Sequence, residues 1–188
     1  MISRAGAMGV KRLLPAGILL VVALSVILGL TLVLASNPRV ADIKLLPGTT
    51  GAQPQPLAPG DTKDFTVQVE PNGQGVAGVT LSLKFDTQYL EVVDQGSAPG
   101  VQIAPHPSSP LDMGPFENVV DNANGTILFS VGTLGDPAPS GNFPIATIRF
   151  KAKSTPTPKG VPAVVKFQVT ESPATKVTAR GGSPLLKH

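Results

Sequence analysis

The sequence predicts an all-β domain of two packed sheets, preceded by one apolar N-terminal helix. The first observation is alternation. In residues 78–93 (GVTLSLKFDTQYLEVV), Val79, Leu81, Leu83 and Phe85 alternate with Thr80, Ser82 and Lys84. A period of two puts the apolar set on one face of a strand and the polar set on the other. A strand that buries one face needs a second layer, so the pattern implies a sheet on a sheet. The second is punctuation: 20 Gly and 20 Pro separate many short β-branched runs, as in a turn-rich β domain. The third is an uncharged apolar run near the N-terminus, with no helical segment after it.

Residues 1–12 carry Arg4, Lys11 and Arg12 and read as a basic cytoplasmic segment. Residues 13–35 follow as a membrane-spanning signal anchor or a signal peptide. The apolar heart, Ala16 to Ala35, reaches roughly 30 Å as a helix, which matches a bilayer core. Basic residues ahead of it send the rest of the chain outward. Val33-Leu34-Ala35 before Ser36 suits cleavage after Ala35, whereas the length of the run suits an uncleaved anchor. Both outcomes stay open. Residues 36–40 form a linker, and 41–186 the exported domain.

In that domain, Asp42 to Leu46 alternates and closes at Pro47-Gly48. Gly48 to Gly60 reads as an irregular exposed loop. Thr62 to Glu70 places Phe65, Val67 and Val69 inward, and Pro71-Asn72-Gly73 turns the chain. The strand at Val79–Phe85 comes next, then a short one within Tyr89–Asp94. Gln95 to Pro115 has no period and five prolines, the kind of long loop that is functional or mobile. Phe116–Val120 and Thr126–Gly132 flank a turn at Asp121–Gly125, with Ile127, Phe129 and Val131 inward. Ile145 to Lys153 has Ala146, Ile148, Phe150 and Ala152 on one side, and Thr147, Arg149, Lys151 and Lys153 on the solvated other. Ala163–Thr170 points Val165, Phe167 and Val169 inward, and Thr175–Leu186 supplies a last strand around Arg180-Gly181-Gly182. About nine strands so spaced make a sandwich.

Several chemistries are excluded. Without cysteine there is no disulfide, thiolate metal site or lipid anchor on Cys. The net charge of +3 is scattered, with no basic stripe interleaved with aromatics, which argues against nucleic acid. His106, between two prolines, is the single histidine of the domain, so neither a nucleophile–base pair nor a zinc site can be assembled. Glu70, Asp86, Glu91, Asp94, Asp112 and Glu117 sit nearly all at strand ends or turns, where acids are expected without catalysis. Asp121–Gly125 fails the calcium-loop spacing because Ala123 occupies a ligand position. The sequence thus predicts no enzyme, no cofactor and no metal. Asn124-Gly125-Thr126 is formally a glycosylation sequon and reads as a turn.

Three pieces in order resemble the cohesin domain, within the jelly-roll group that also holds carbohydrate-binding modules of families 2 and 3. They are the Asp42–Val69 pair with Pro59-Gly60-Asp61, the Gly78–Val93 segment, and Phe116-Glu117-Asn118 leading to Ile127-Leu128-Phe129-Ser130 and PIATIRFKA (144–152). The resemblance covers about residues 40–186. It implies a nine-stranded jelly-roll sandwich and a non-catalytic module that binds dockerin domains, gathering extracellular polysaccharide-degrading enzymes. It also implies that the strands at Val79–Phe85, Phe116–Val120, Thr126–Val131 and Ala163–Thr170 share a sheet whose outer face docks the partner. The outward residues would be Thr80, Ser82, Lys84, Asn118, Leu128, Ser130, Val164, Lys166 and Gln168. Leu128 and Val164 stand out as apolar side chains on a solvent face.

The alternative is a carbohydrate-binding module, with a polysaccharide as partner and planar aromatics stacked on sugar rings. Seven Phe, one Tyr and no Trp, most on core faces, make a poor platform. A further alternative is a structural subunit of a surface assembly. The expected location is the cell membrane, single-pass with the C-terminal domain outside, or the medium after cleavage at Ala35.

Overall fold

The computed structural model describes residues 40–47, 57–153 and 164–186. The basic segment 1–12, the apolar segment 13–35 with its cleavage point, most of the linker and most of the Gly48–Gly60 loop lie outside these. Among the described residues no helix is long and apolar enough to cross a membrane.

Alternation becomes architecture directly. The first sheet runs β1 (Asp42–Pro47), β2 (Thr62–Glu70), β8 (Phe143–Ala152) and β4 (Leu90–Val92), with β5 (Ala104–Pro105) also on β8. The second runs β10 (Lys176–Thr178), β3 (Gly78–Phe85), β7 (Thr126–Gly132) and β6 (Met113–Asp121), with β9 (Val165–Phe167) also on β3. Every pairing is antiparallel. Val67, Val69, Leu81, Leu83, Ile127, Phe129, Ile148 and Phe150 are fully enclosed between the layers. Each such side chain contributes about 1.5–3 kcal/mol on burial. The Phe150 ring meets Phe65 of its own sheet edge-on at 5.9 Å and Phe85 of the opposite sheet at 5.8 Å, so one aromatic group ties the layers together.

Four features differ from the sequence reading. Among the described residues ten strands form, because Gln95–Pro115 is an ordered strap rather than an open loop. It contributes β5 and the start of β6, and it buries Ile103 and Leu111. The Asp94 carboxylate fixes its entry by accepting from the Gly96 and Gln102 N–H groups, which hold the acid below its ordinary pKa. Second, Leu57 is buried at the end of the Gly48–Gly60 loop expected to be exposed. Third, β8 carries a bulge: Val67 pairs Ala146 while Gln68 pairs Pro144, so Ile145 and Ala146 are both buried. Fourth, the last strand is Lys176–Thr178, and Arg180–Gly182 is a 3-10 turn with Gly181 and Gly182 at positive φ, which a strand does not accommodate.

β9 and β10 lie in tandem against the same side of β3, and the backbone of Ser82 falls between them. Thr175 fills that gap: its Oγ1 accepts from the Ser82 N–H at 3.0 Å and donates to the Ser82 carbonyl at 2.7 Å. A fully buried hydroxyl thus replaces the ladder bond that the Ser82 N–H loses at the break, and adds a second donor to a carbonyl that also accepts from the Gln168 N–H at 2.9 Å.

Candidate docking face

Cross-strand register arranges the outer face of the second sheet in three rows. One runs Glu117–Ser130–Thr80–Lys176, from β6 to β10. The middle row is Val119–Leu128–Ser82. The last runs Asp121–Thr126–Lys84–Lys166, ending on β9. Phe116 lies one row beyond the first, over Gly132, where an added Cβ would be 3.6 Å from its ring. The face therefore has acids along β6, lysines along β9 and β10, and an apolar patch beside the acids.

The expected residues divide by what their positions allow. The strands holding them do share this sheet. Thr80, Lys84, Lys166 and Leu128 are on the outer face, and Gln168 follows Lys166 at the same parity, half-buried. Ser82 and Ser130 have the outward parity but are only 5% and 9% exposed, so they floor the face. Ser130 Oγ donates to Glu117 Oε2 at 3.2 Å. Val164 is half-buried, packed on the core and lining the cleft beside Lys84 and Lys166.

Asn118 is a correction. It pairs Phe129 and so faces inward, where Nδ2 donates to the Ile103 carbonyl at 2.8 Å and Oδ1 accepts from the Ile103 N–H at 3.0 Å. An amide that satisfies both its donor and acceptor on strap backbone can sit inside without penalty. Val119 takes the outward place and is 60% exposed, while Phe116 is 64% exposed. The sequence reading named neither, nor Lys176; Val119 was hidden because assigning Asn118 outward inverted the phase of β6. The register shift between Met113 and Glu117 would have warned of it, but a bulge leaves no period to read.

The turn feeding this face is rigidly built. Asp121 Oδ1 accepts from the Asn124 N–H at 3.0 Å and the Ala123 N–H at 2.9 Å, and Oδ2 accepts from Asn124 Nδ2 at 2.7 Å. These bonds, those from Asn124 first, hold the Asp121 carboxyl below its ordinary pKa. Gly125 has φ +68°, and a Cβ there would lie 2.2 Å from the Phe85 carbonyl oxygen, so glycine is required. Beside the turn a cleft of about 460 Å³ opens between Lys84, Asp86, Thr87, Asn124, Val164 and Lys166.

His106 is half-buried in the strap, with Nδ1 accepting from the Ser108 N–H at 3.1 Å. Among the described residues no group of His, Asp and Glu is placed to hold a metal ion. On the opposite sheet, Arg149 clasps Asp64 through two bonds of 2.7 and 2.8 Å, and Lys151 meets Glu91 at 2.9 Å. Of the eight aromatic rings, Phe116 alone is exposed.

The cohesin-domain family model matches residues 52–182. Cellulose-binding protein A of Clostridium cellulovorans is 36% identical over 124 residues, covering 66% of this chain but only 6% of that protein. Among solved structures, type II cohesin A11 of Bacteroides cellulosolvens superposes with a TM-score of 0.56 at 18% identity, over 76% of this chain and 90% of that one. The second type II cohesin module of the adaptor ScaA scaffoldin from Acetivibrio cellulolyticus gives 0.55 at 18% identity, over 79% and 91%. A type II cohesin–X-dockerin complex from the same organism gives 0.53 at 18% identity, over 79% and 92%. The two-sheet topology and the extent of the family match agree: the chain belongs to the cohesin family.

Proposed function

We propose that this chain is a non-catalytic docking module that binds a dockerin-type domain through the outer face of its second sheet. The observation that carries the reading is exposed Val119 beside half-buried Leu128 on an open sheet face, with exposed Phe116 over Gly132 and charge at the rim. An apolar centre with a polar rim is the anatomy of a protein interface. A cohesin in the Acetivibrio cellulolyticus complex binds a dockerin, which supports the same kind of partner here. The partner would be part of an extracellular enzyme acting on polysaccharide. The module would be displayed outside the cell, held by residues 13–35 or released after Ala35.

Binding of the full chain to dockerin modules, followed by surface plasmon resonance, tests this. Val119→Asp with Leu128→Asp should weaken binding by at least about tenfold, as for truncation of an interface hot spot. Unchanged affinity in a variant that keeps its melting temperature would place the interface elsewhere. The mass of the mature protein distinguishes the tethered from the released form.

A further inference from the structure

The charges of the two sheet faces are handled in opposite ways. On the first sheet, Lys44, Arg149 and Lys151 each meet an acid across a strand boundary, namely Glu70, Asp64 and Glu91. On the second, Lys84 and Lys166 face each other directly in register on the outer side. Like charges in that position destabilise a strand pair. Neither forms an ion pair among the described residues, nor does the exposed Lys176, one strand step away from Thr80. The acids across the face do not reach them. Glu117 engages Ser130, and Asp121 is used by its turn. Asp86, which shares the cleft with the two lysines, accepts from the Gln88 N–H. Two cations against one carboxylate leave the cleft net positive.

We propose that this lysine rim receives carboxylates of an acidic segment of the docked protein, and so selects dockerin-type partners carrying acidic groups beside an apolar patch. This rests on the docking reading above. Lys84 and Lys166 lie two and three strand spacings, about 10 and 14 Å, from the β6 edge of the face. A partner must match both at once, which fixes its orientation on the sheet. Exposed charges at an interface rim act chiefly on the association rate and its salt dependence.

The test uses the full chain and each dockerin module encoded in the same genome. Lys84→Gln with Lys166→Gln should lower the association rate roughly three- to tenfold at low salt, with little change in dissociation. The loss should shrink near 0.5 M salt, an ionic strength at which exposed charges are screened within about 5 Å. Lys84→Glu with Lys166→Glu should exceed it. In the Gln variant the melting temperature should hold or rise, since a repulsion is removed. An unchanged rate and salt slope, with Val119→Asp and Leu128→Asp still weakening binding, would overturn the lysine rim and leave the docking face intact. If neither pair of substitutions alters binding, the docking face itself fails and the rim with it. Retention of the wild-type chain on polygalacturonate, lost in the Gln variant and with no dockerin module bound, would overturn a protein partner in favour of an acidic glycan.

Discussion

Asn118 and Val119 show how a single residue can defeat a polarity rule. Polar-out, apolar-in is a statement about unmet hydrogen bonds, and Asn118 meets two of its own on Ile103. Asn118→Ala should therefore cost about 1–3 kcal/mol by urea denaturation, since it orphans buried backbone groups of the strap. Dockerin affinity should be unaffected, because the side chain faces the core. A loss of binding with unchanged stability would return Asn118 to the outer face. The inward residues of β2, β3 and β7 were legible in the sequence, since nothing but the core rewards Phe65, Leu83 or Phe129. The outer-face residues were legible only in part. An interface leaves apolar residues outside, which is the reverse of the pattern used to orient a strand.

At the scale of elements, legibility follows hydrogen-bond regularity. β2, β3 and β7 keep their period and were read nearly whole. The strap holding β5 has no period because its prolines lack the donors of a ladder, and side chains such as Asp94 hold it instead. Asp94 and Asp121 both have carboxyl groups depressed in the folded state by N–H donors. The stabilisation they bring is complete above their unfolded pKa of about 3.9 and is lost as pH falls through the lower folded values. The melting temperature should thus drop below about pH 4, by differential scanning fluorimetry. Asp94→Asn with Asp121→Asn should start lower at neutral pH and flatten that acid limb. A limb as steep as wild type would mean that other carboxylates carry it. In the same hairpin, Gly125→Ala should destabilise by more than the usual ~1 kcal/mol of a backbone substitution, because its Cβ meets backbone rather than a movable side chain.

For the molecule as a whole, the sandwich was legible because its core is a set of alternating strands that only a second sheet can cover. What the sequence could not reveal was the tandem placement of β9 and β10, which depends on Thr175 reaching Ser82 across 93 positions of chain. Phe150→Ala should cost about 3–5 kcal/mol, since that ring couples the two layers through Phe65 and Phe85. A loss below about 1 kcal/mol in chemical denaturation would show that the layers are held elsewhere. Affinity electrophoresis on cellulose, xylan and chitin should give no retardation, because one exposed ring cannot form a stacking platform.

The Ala41 N–H donates to the Leu185 carbonyl at 2.9 Å, and Asn72 Nδ2 reaches the Val40 carbonyl at 2.7 Å. The polypeptide therefore enters and leaves the sandwich at one corner. A support grafted to either side of residues 40–186 would display the partner-facing surface in the same attitude. Spliced into a surface loop of a host protein, the module would strain that host little, as neighbouring entry and exit points permit.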